Sequence, residues 1–237
     1  GLTMNILLSI IISYMIGSLS PSFILGKIIG KVDIREQGDG NAGALNTAAI
    51  LGLVPGITVM FFDVTKGVLS LILSRRFFAL EGNLLLIPIC SAIAGHIFPF
   101  YLRFRGGQGS ATAAGLFLFF LIPMFSSGRL PLDGLLILLI LIAVTAYVSK
   151  GGEFIGLVVL PMLLFFVSAN AGRNFPYLIS TLLAGFLCGT TAYNFIKKKL
   201  YKGFLAPEVS GRRILCRATA ALIVLFYVIY GKTSAMM

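Results

Sequence analysis

Long apolar runs separated by short polar loops set the first expectation for this chain. Eight runs stand out: Met4–Gly26, Ala48–Leu73, Leu84–Leu102, Ser110–Phe125, Gly134–Val148, Phe154–Ala169, Tyr177–Ile196 and Ile214–Tyr230. A helix needs roughly twenty apolar residues to cross a bilayer, so the pattern predicts an all-α, polytopic transmembrane helix bundle. Several runs are short and are expected to tilt, kink or insert partly. The second run carries Asp63 and Lys66. Three positions apart, they share a helix face, and charges at membrane depth face a protein interior. An intrahelical ion pair and a catalytic pair are both open readings.

Composition strengthens this picture. Of 237 residues, 58% are hydrophobic and 11% charged, against roughly a quarter charged in a soluble domain. One integral membrane domain over residues 1–237 is expected. The first run is too long, and too poor in preceding positive charge, for a cleaved signal peptide. Cys90, Cys188 and Cys216 lie far apart in or at the start of apolar runs, which reads as small apolar residues without a disulfide frame or zinc site.

The net charge of +11 would raise nucleic acid as a partner in a soluble protein. Here the basic residues sit in short loops, the pattern of orientation signals and anionic headgroup contact. If all eight runs span, one side holds Lys27, Lys31, Arg35, Arg103, Arg105, Lys150, Lys197, Lys198, Lys199, Lys202, Arg212 and Arg213. The other holds Arg75, Arg76, Arg129, Arg173 and Lys232. The richer side is assigned to the cytoplasm, with both termini outside. The glycine-rich polar loops Gly30–Thr47, Arg103–Gly109 and Ser149–Glu153 then share the cytoplasmic face with the basic stretch Lys197–Arg213. This predicts one site there.

The loops carry candidate chemistry. In the hairpin Gly95–Thr112, Gly106, Gly107 and Gly109 leave backbone N–H groups unshielded, and such a run can form an anion-holding nest. Arg103 and Arg105 precede it, and the following apolar helix would aim its N-terminal dipole at the same place. A flexible turn with its arginines at lipid headgroups is the plainer alternative. In the first loop, Gly38, Gly40 and Gly43 allow close approach, Asn41 and Asn46 offer amide groups, and Asp39 is either an acid orienting a hydroxyl or part of an Asp-Gly turn. Ser149 is a helix cap or a donor to a substrate oxygen. Asn194 precedes Lys197 and its lysine neighbours, which otherwise read as a headgroup anchor. His96 is the only histidine, with no acid near it in sequence. No paired carboxylates or ligand cluster suggests a metal, and no cofactor is expected.

The loops in order resemble those of the PlsY-type acyl-phosphate:glycerol-3-phosphate acyltransferases. The resemblance rests on Gly17-Ser18 with Pro21 and Lys27; Asp33 and Arg35; Gly38, Gly40, Asn41, Gly43, Ala44 and Asn46; Leu51-Gly52; Asp63, Lys66 and Gly67; Gly95-His96, Phe98 and Pro99; Phe104 to Gly107 with Gly109, Ala111 and Thr112; Tyr147 to Ser149; and Asn194. It runs from about Met4 to Lys202 and implies seven family-like helices, leaving Ile214–Tyr230 as an extra hydrophobic segment. It also implies that glycerol 3-phosphate and acyl phosphate bind at the cytoplasmic loops of a cell-membrane enzyme, with the acyl chain between helices. The primary hydroxyl would attack the acyl carbonyl and release inorganic phosphate. An acyl phosphate is already activated, so positioning and charge neutralisation can supply most of the acceleration.

On this resemblance Asp39, Asn41, Ser149 and Asn194 are the expected catalytic residues. Gly38, Gly40, Gly43, Asn46, Arg35, His96, Arg105, Gly106, Gly107, Gln108, Gly109, Thr112 and Lys197 are the expected substrate-binding residues. The chain departs from the family pattern at Asp39 (serine in the family), Leu45 (threonine), Ala49 (arginine) and Gln108 (lysine). Thr191 stands for its histidine and Ala192 for its arginine, and the glutamate after Asn194 is not found. Arg35, Arg103, Arg105, Lys150 and Lys197–Lys199, on the same expected cytoplasmic side, are the cations expected to compensate from other directions. A paralogue with a less anionic acceptor and a non-catalytic lipid-binding protein remain the competing classes. A transporter is disfavoured by the one-sided polar loops and the lack of an inverted repeat.

Overall fold

In a computed structural model of the protein, residues 1–126, 136, 140, 179–187, 189 and 190 are described, and among them the regular structure is helical. The chain divides into two compact units, Gly1–Phe119 and Phe120–Met237. The helices are α1 (Leu2–Ser18), α2 (Pro21–Leu25), α3 (Ala44–Leu51), α4 (Leu53–Phe78), α5 (Leu86–Ile97) and α6 (Ser110–Ser126), joined by short π and 3-10 turns. Three stretches among the described residues are long and apolar enough to cross a bilayer: Leu2–Gly30, Leu53–Phe78 and Gly82–Leu102.

The second predicted run is corrected at its start. Ala48 belongs to the short helix α3, and the spanning helix begins at Leu53. Gly52 separates them at φ +96°, a conformation that side-chain-bearing residues rarely adopt. The runs Phe154–Ala169 and Ile214–Tyr230 lie outside the described residues. Of Gly134–Val148, only Leu136 and Ile140 are described, both exposed.

The first unit is built inside-out relative to a soluble bundle. Helix α1 is mostly apolar, and the face it buries carries Ser9, Ser13, Gly17 and Ser18. Leu7 and Ile11 are exposed. Apolar side chains gain little by leaving lipid, so helices in membranes associate through small residues and polar contacts. Ser9 Oγ lies 2.9 Å from Ser74 Oγ of α4. At the crossing of α1 and α5, a Cβ on Gly17 would overlap the Ala92 carbonyl, and one on Gly95 would overlap the Tyr14 carbonyl. Two glycines thus let the backbones touch.

Helix α4 buries Val59, Asp63, Lys66, Gly67, Ser70 and Ser74 at three- and four-residue spacing, one stripe of a helix. Against it sits α6, where a Cβ on Gly115 would overlap the Val64 carbonyl.

Between α1 and α2 the chain breaks at Leu19 and Ser20. Pro21 opens α2, and the Ser20 hydroxyl accepts from Phe23 N–H at 3.4 Å. Later parts of the chain hold this break. Lys66 Nζ donates to the Leu19 carbonyl at 3.0 Å. Tyr101 donates its hydroxyl to the Ser18 carbonyl at 2.9 Å and accepts from Ser20 N–H at 3.0 Å.

In the second unit, residues 179–187 are helical and bury Ile179, Leu183, Ala184 and Leu187. Ser180 Oγ donates to Met124 Sδ at 3.9 Å.

Candidate active site

The first glycine loop is organised by one buried amide. Asn46, in the first turn of α3, is 3% exposed. Its Nδ2 donates to the carbonyls of Ile34, Gln37 and Asn41, each at 3.0 Å. Its Oδ1 accepts from Asp39 N–H at 3.1 Å. Gly38 passes over it at φ +60°, and a Cβ there would overlap Asn46 Oδ1. Asp39 is exposed, and its carboxylate accepts from Asn41 N–H at 2.9 Å. This is the Asp-Gly turn of the plainer reading. Asn41 is partly exposed.

The hairpin after α5 does not form a simple nest. Gly106 N–H donates to the Ile97 carbonyl at 3.0 Å and Gly107 N–H to the His96 carbonyl at 3.1 Å. These two donors cap the end of α5, and they correct the expectation that the glycine run offers its N–H groups to an anion. The first turn of α6 follows directly, and there Ala113 N–H donates to the Gly109 carbonyl at 2.9 Å. Upstream, Arg103 and Phe104 both take left-handed backbone angles, φ 56° and 58°. The turn they make is closed by Arg105 N–H to the Leu102 carbonyl at 3.2 Å. Such a turn favours Asn-Gly; here two bulky residues occupy it.

Arg35 holds that turn and joins the two loops. Its Nη1 donates to the carbonyls of Leu102 (2.8 Å) and Arg105 (3.2 Å). Its Nε and Nη2 donate to Asp33 Oδ1 and Oδ2 at 2.9 and 2.7 Å. The plane lies 5.0 Å from the centre of the Phe23 ring. Arg35 is therefore committed to protein groups and acts as a clamp, in place of the expected contact with substrate phosphate. Replacing it with lysine should break the clamp, because a single ammonium cannot fork across four acceptors. A fall in stability on the order of 2 kcal/mol is expected, read as a lower thermal midpoint in detergent with lysine no better than glutamine.

The same hydrogen bonds to Arg35 hold the Asp33 carboxyl down at about 2. An unfolded aspartate titrates near about 3.9, so the clamp's contribution is full above that value and disappears as pH falls toward 2. Asp33→Asn should flatten that acid limb of the thermal midpoint against pH; an unchanged limb would assign it to another group.

A third cluster lies beneath the hairpin. Lys66 Nζ contacts Asp63 Oδ1 at 2.8 Å, and His96 Nδ1 lies 3.5 Å from the same oxygen. Thr112 Oγ1 lies 3.4 Å from His96 Nδ1. All four are buried. Sequence reading found no acid for His96, because its partner comes from another helix. Asp63 and Lys66 form the expected intrahelical pair.

The Gly38–Asn46 loop and the Arg105–Gly109 turn therefore meet. Arg35 ties them at one place, and Ala42 approaches Gly107 at another, where a Cβ on Gly107 would sit 2.8 Å from the Ala42 carbonyl. Arg105 is exposed beside them. Ser149, Asn194 and Lys197 lie outside the described residues.

The comparisons with known proteins decide the family. Residues 7–203 match the family model described as Glycerol-3-phosphate acyltransferase. The chain belongs to the glycerol-3-phosphate acyltransferase family. It is 34% identical to glycerol-3-phosphate acyltransferase 2 of Moorella thermoacetica over 196 residues, 82% of this chain and 93% of that one. It is 35% identical over 181 residues to the enzyme of that name from Prochlorococcus marinus (strain MIT 9312), covering 76% and 87%. In shape it is similar to the crystal structure of PlsY, an integral membrane glycerol 3-phosphate acyltransferase, in its glycerol 3-phosphate form. The TM-score is 0.60 at 24% identity, over 83% of this chain and 92% of that one. The lysophosphatidic acid form of PlsY gives 0.59. Family membership and this all-helical integral membrane fold make the chain a multi-pass membrane protein. The glycine, asparagine and Asp33–Arg35 positions that carried the resemblance are those that shape the two loops of this acyltransferase-family member.

Proposed function

We propose that the protein is a membrane acyltransferase that moves a fatty acyl group from acyl phosphate to the primary hydroxyl of glycerol 3-phosphate. The observation that carries this reading is the meeting of two glycine-shaped loops, clamped by Arg35, in a member of this family. The hydroxyl oxygen bonds to the acyl carbonyl carbon, the bond from that carbon to the phosphate oxygen breaks, and inorganic phosphate leaves with the electron pair. The hydroxyl proton is carried off with the phosphate.

Asp39 and Asn41 border the first loop where a hydroxyl would be oriented, and Ser149 and Asn194 complete that set. Arg105 and Gln108 face the phosphates, the family resemblance adds Lys197 to that set, and the buried Thr112 supports the hairpin from beneath through His96. Gly38, Gly40, Gly43, Gly106, Gly107 and Gly109 shape the two loops that border the substrates, several of them by letting protein groups pack where a Cβ would be. The site lies on the cytoplasmic face of the inner membrane, as the distribution of Lys and Arg supports, and the tail lies between helices.

A second reading, a less anionic acceptor, is favoured by one observation. Asp39 brings an exposed carboxylate to the loop that borders the acceptor, and a carboxylate there repels a phosphate carried by that acceptor. Purified protein, acyl phosphate and labelled glycerol 3-phosphate test both. Ester product above a blank supports the first reading. Product only with glycerol or another uncharged polyol supports the second, and no product with any acceptor removes both.

A further inference from the structure

His96 is buried against elements of the two loops and their supports. Its Nδ1 edge faces Asp63 of α4 at 3.5 Å and Thr112 of α6 at 3.4 Å. Asp63 is in turn held by Lys66, whose ammonium also reaches the Leu19 carbonyl. The side chain is 5% exposed. Its Nε2 edge has no hydrogen-bond partner among the described residues and abuts Gly107, where any Cβ would overlap Nε2. The same hypothetical Cβ would lie 2.8 Å from the Ala42 carbonyl of the first loop. The imidazole thus stands directly under the point where the two loops meet.

We propose that His96 is a positioning residue for acyl transfer, one that sets how closely the Gly106–Gly109 turn approaches the Gly38–Asn46 loop. This rests on the acyltransferase reading above. An imidazole suits the place for two reasons. One edge must supply a polar atom to a carboxylate and a hydroxyl that are both out of water, where an apolar side chain would leave them short of partners. The other edge must be flat and rigid, because it bears on backbone. A few tenths of an ångström of sag at Gly107 changes the width of the basin that grips the acceptor, and misplacement at this scale is amplified in the rate. His96 does not touch substrate in this account; it acts through Gly107.

Two variants separate positioning from mere packing. His96→Asn keeps a nitrogen near Nδ1 and removes the Nε2 edge, whereas His96→Gln extends an amide toward that edge. With turnover of the unaltered protein established, His96→Asn should raise KM for the acceptor about tenfold or more, with a smaller change in kcat. His96→Gln should recover part of that loss. Gly107→Ala alone should be the most damaging change, and His96→Asn combined with it should restore part of the activity lost in Gly107→Ala, since the shorter side chain removes the nearer of the new methyl's two clashes and leaves only that with the Ala42 carbonyl.

The same pair is read by thermal midpoint in detergent, which needs no activity. The two changes together should cost clearly less than the sum of each alone. An unchanged KM in active His96→Asn, or additive costs in the cycle, overturns the proposal. If the unaltered protein turns over no acceptor, the functional reading falls, and sub-additive costs would then show a packing contact only and overturn the catalytic role as well.

Discussion

Replacing Lys66 with methionine should leave little folded protein. The substitution keeps the length of the side chain and removes its charge, so Asp63 remains buried at membrane depth without its main counter-ion. Breaking a buried ion pair from one side costs about 3–5 kcal/mol in general, a large share of the stability of most domains. The break between α1 and α2 loses its tie at the Leu19 carbonyl in the same step. Asp63→Asn combined with Lys66→Met should recover much of the loss, because neither charge is then stranded. The measurement is the monodisperse fraction after extraction and its thermal midpoint. A single Lys66→Met protein as stable as the unaltered one would show that the pair is not a buried dependency.

The second large effect concerns Asn46, and its sign is informative. Asn46→Ala leaves Asp39 N–H without its partner and strips one hydrogen bond from each of the carbonyls of Ile34, Gln37 and Asn41, which keep the N–H groups of Gln37, Gly40 and Gly43, at about 1 kcal/mol for each bond lost. Asn46→Asp has nearly the same shape and is expected to be at least as damaging. It removes the side-chain donor and turns a carboxylate oxygen toward the carbonyls of Ile34, Gln37 and Asn41. Acyl transfer should fall to the blank in both variants, with α4 and α5 retaining helical signal in circular dichroism. Activity retained in Asn46→Asp would mean that shape alone organises the loop.

Much of this was legible along the chain, for a physical reason in each case. The run Ser110–Phe125 reappears as α6 because a bilayer demands continuous apolar helix, which hydropathy detects directly. The loops were found because glycine and asparagine mark backbone that has to turn. Gly52 was missed as a boundary because apolar residues flank it on both sides, so hydropathy continues across it. Asp63 and His96 are 33 positions apart on different helices, and helical periodicity carries no information about which helices meet. Arg35 was expected to reach substrate because it is a cation in a glycine-rich loop. Its four protein acceptors include carbonyls of a turn some seventy residues later, and that distance hides them. The two glycine N–H groups spent on the end of α5 were hidden in the same way.

The tie between Lys66 and the Leu19 carbonyl also bears on biogenesis. A ribosome makes residues 18–20 before residue 66, and residue 101 comes later still. The interruption at Leu19 and Ser20 therefore lacks both of its fasteners until they have been translated. Making this segment and completing it are separate events in time, and a nascent chain cut short before residue 66 would carry α1 and α2 without their latch.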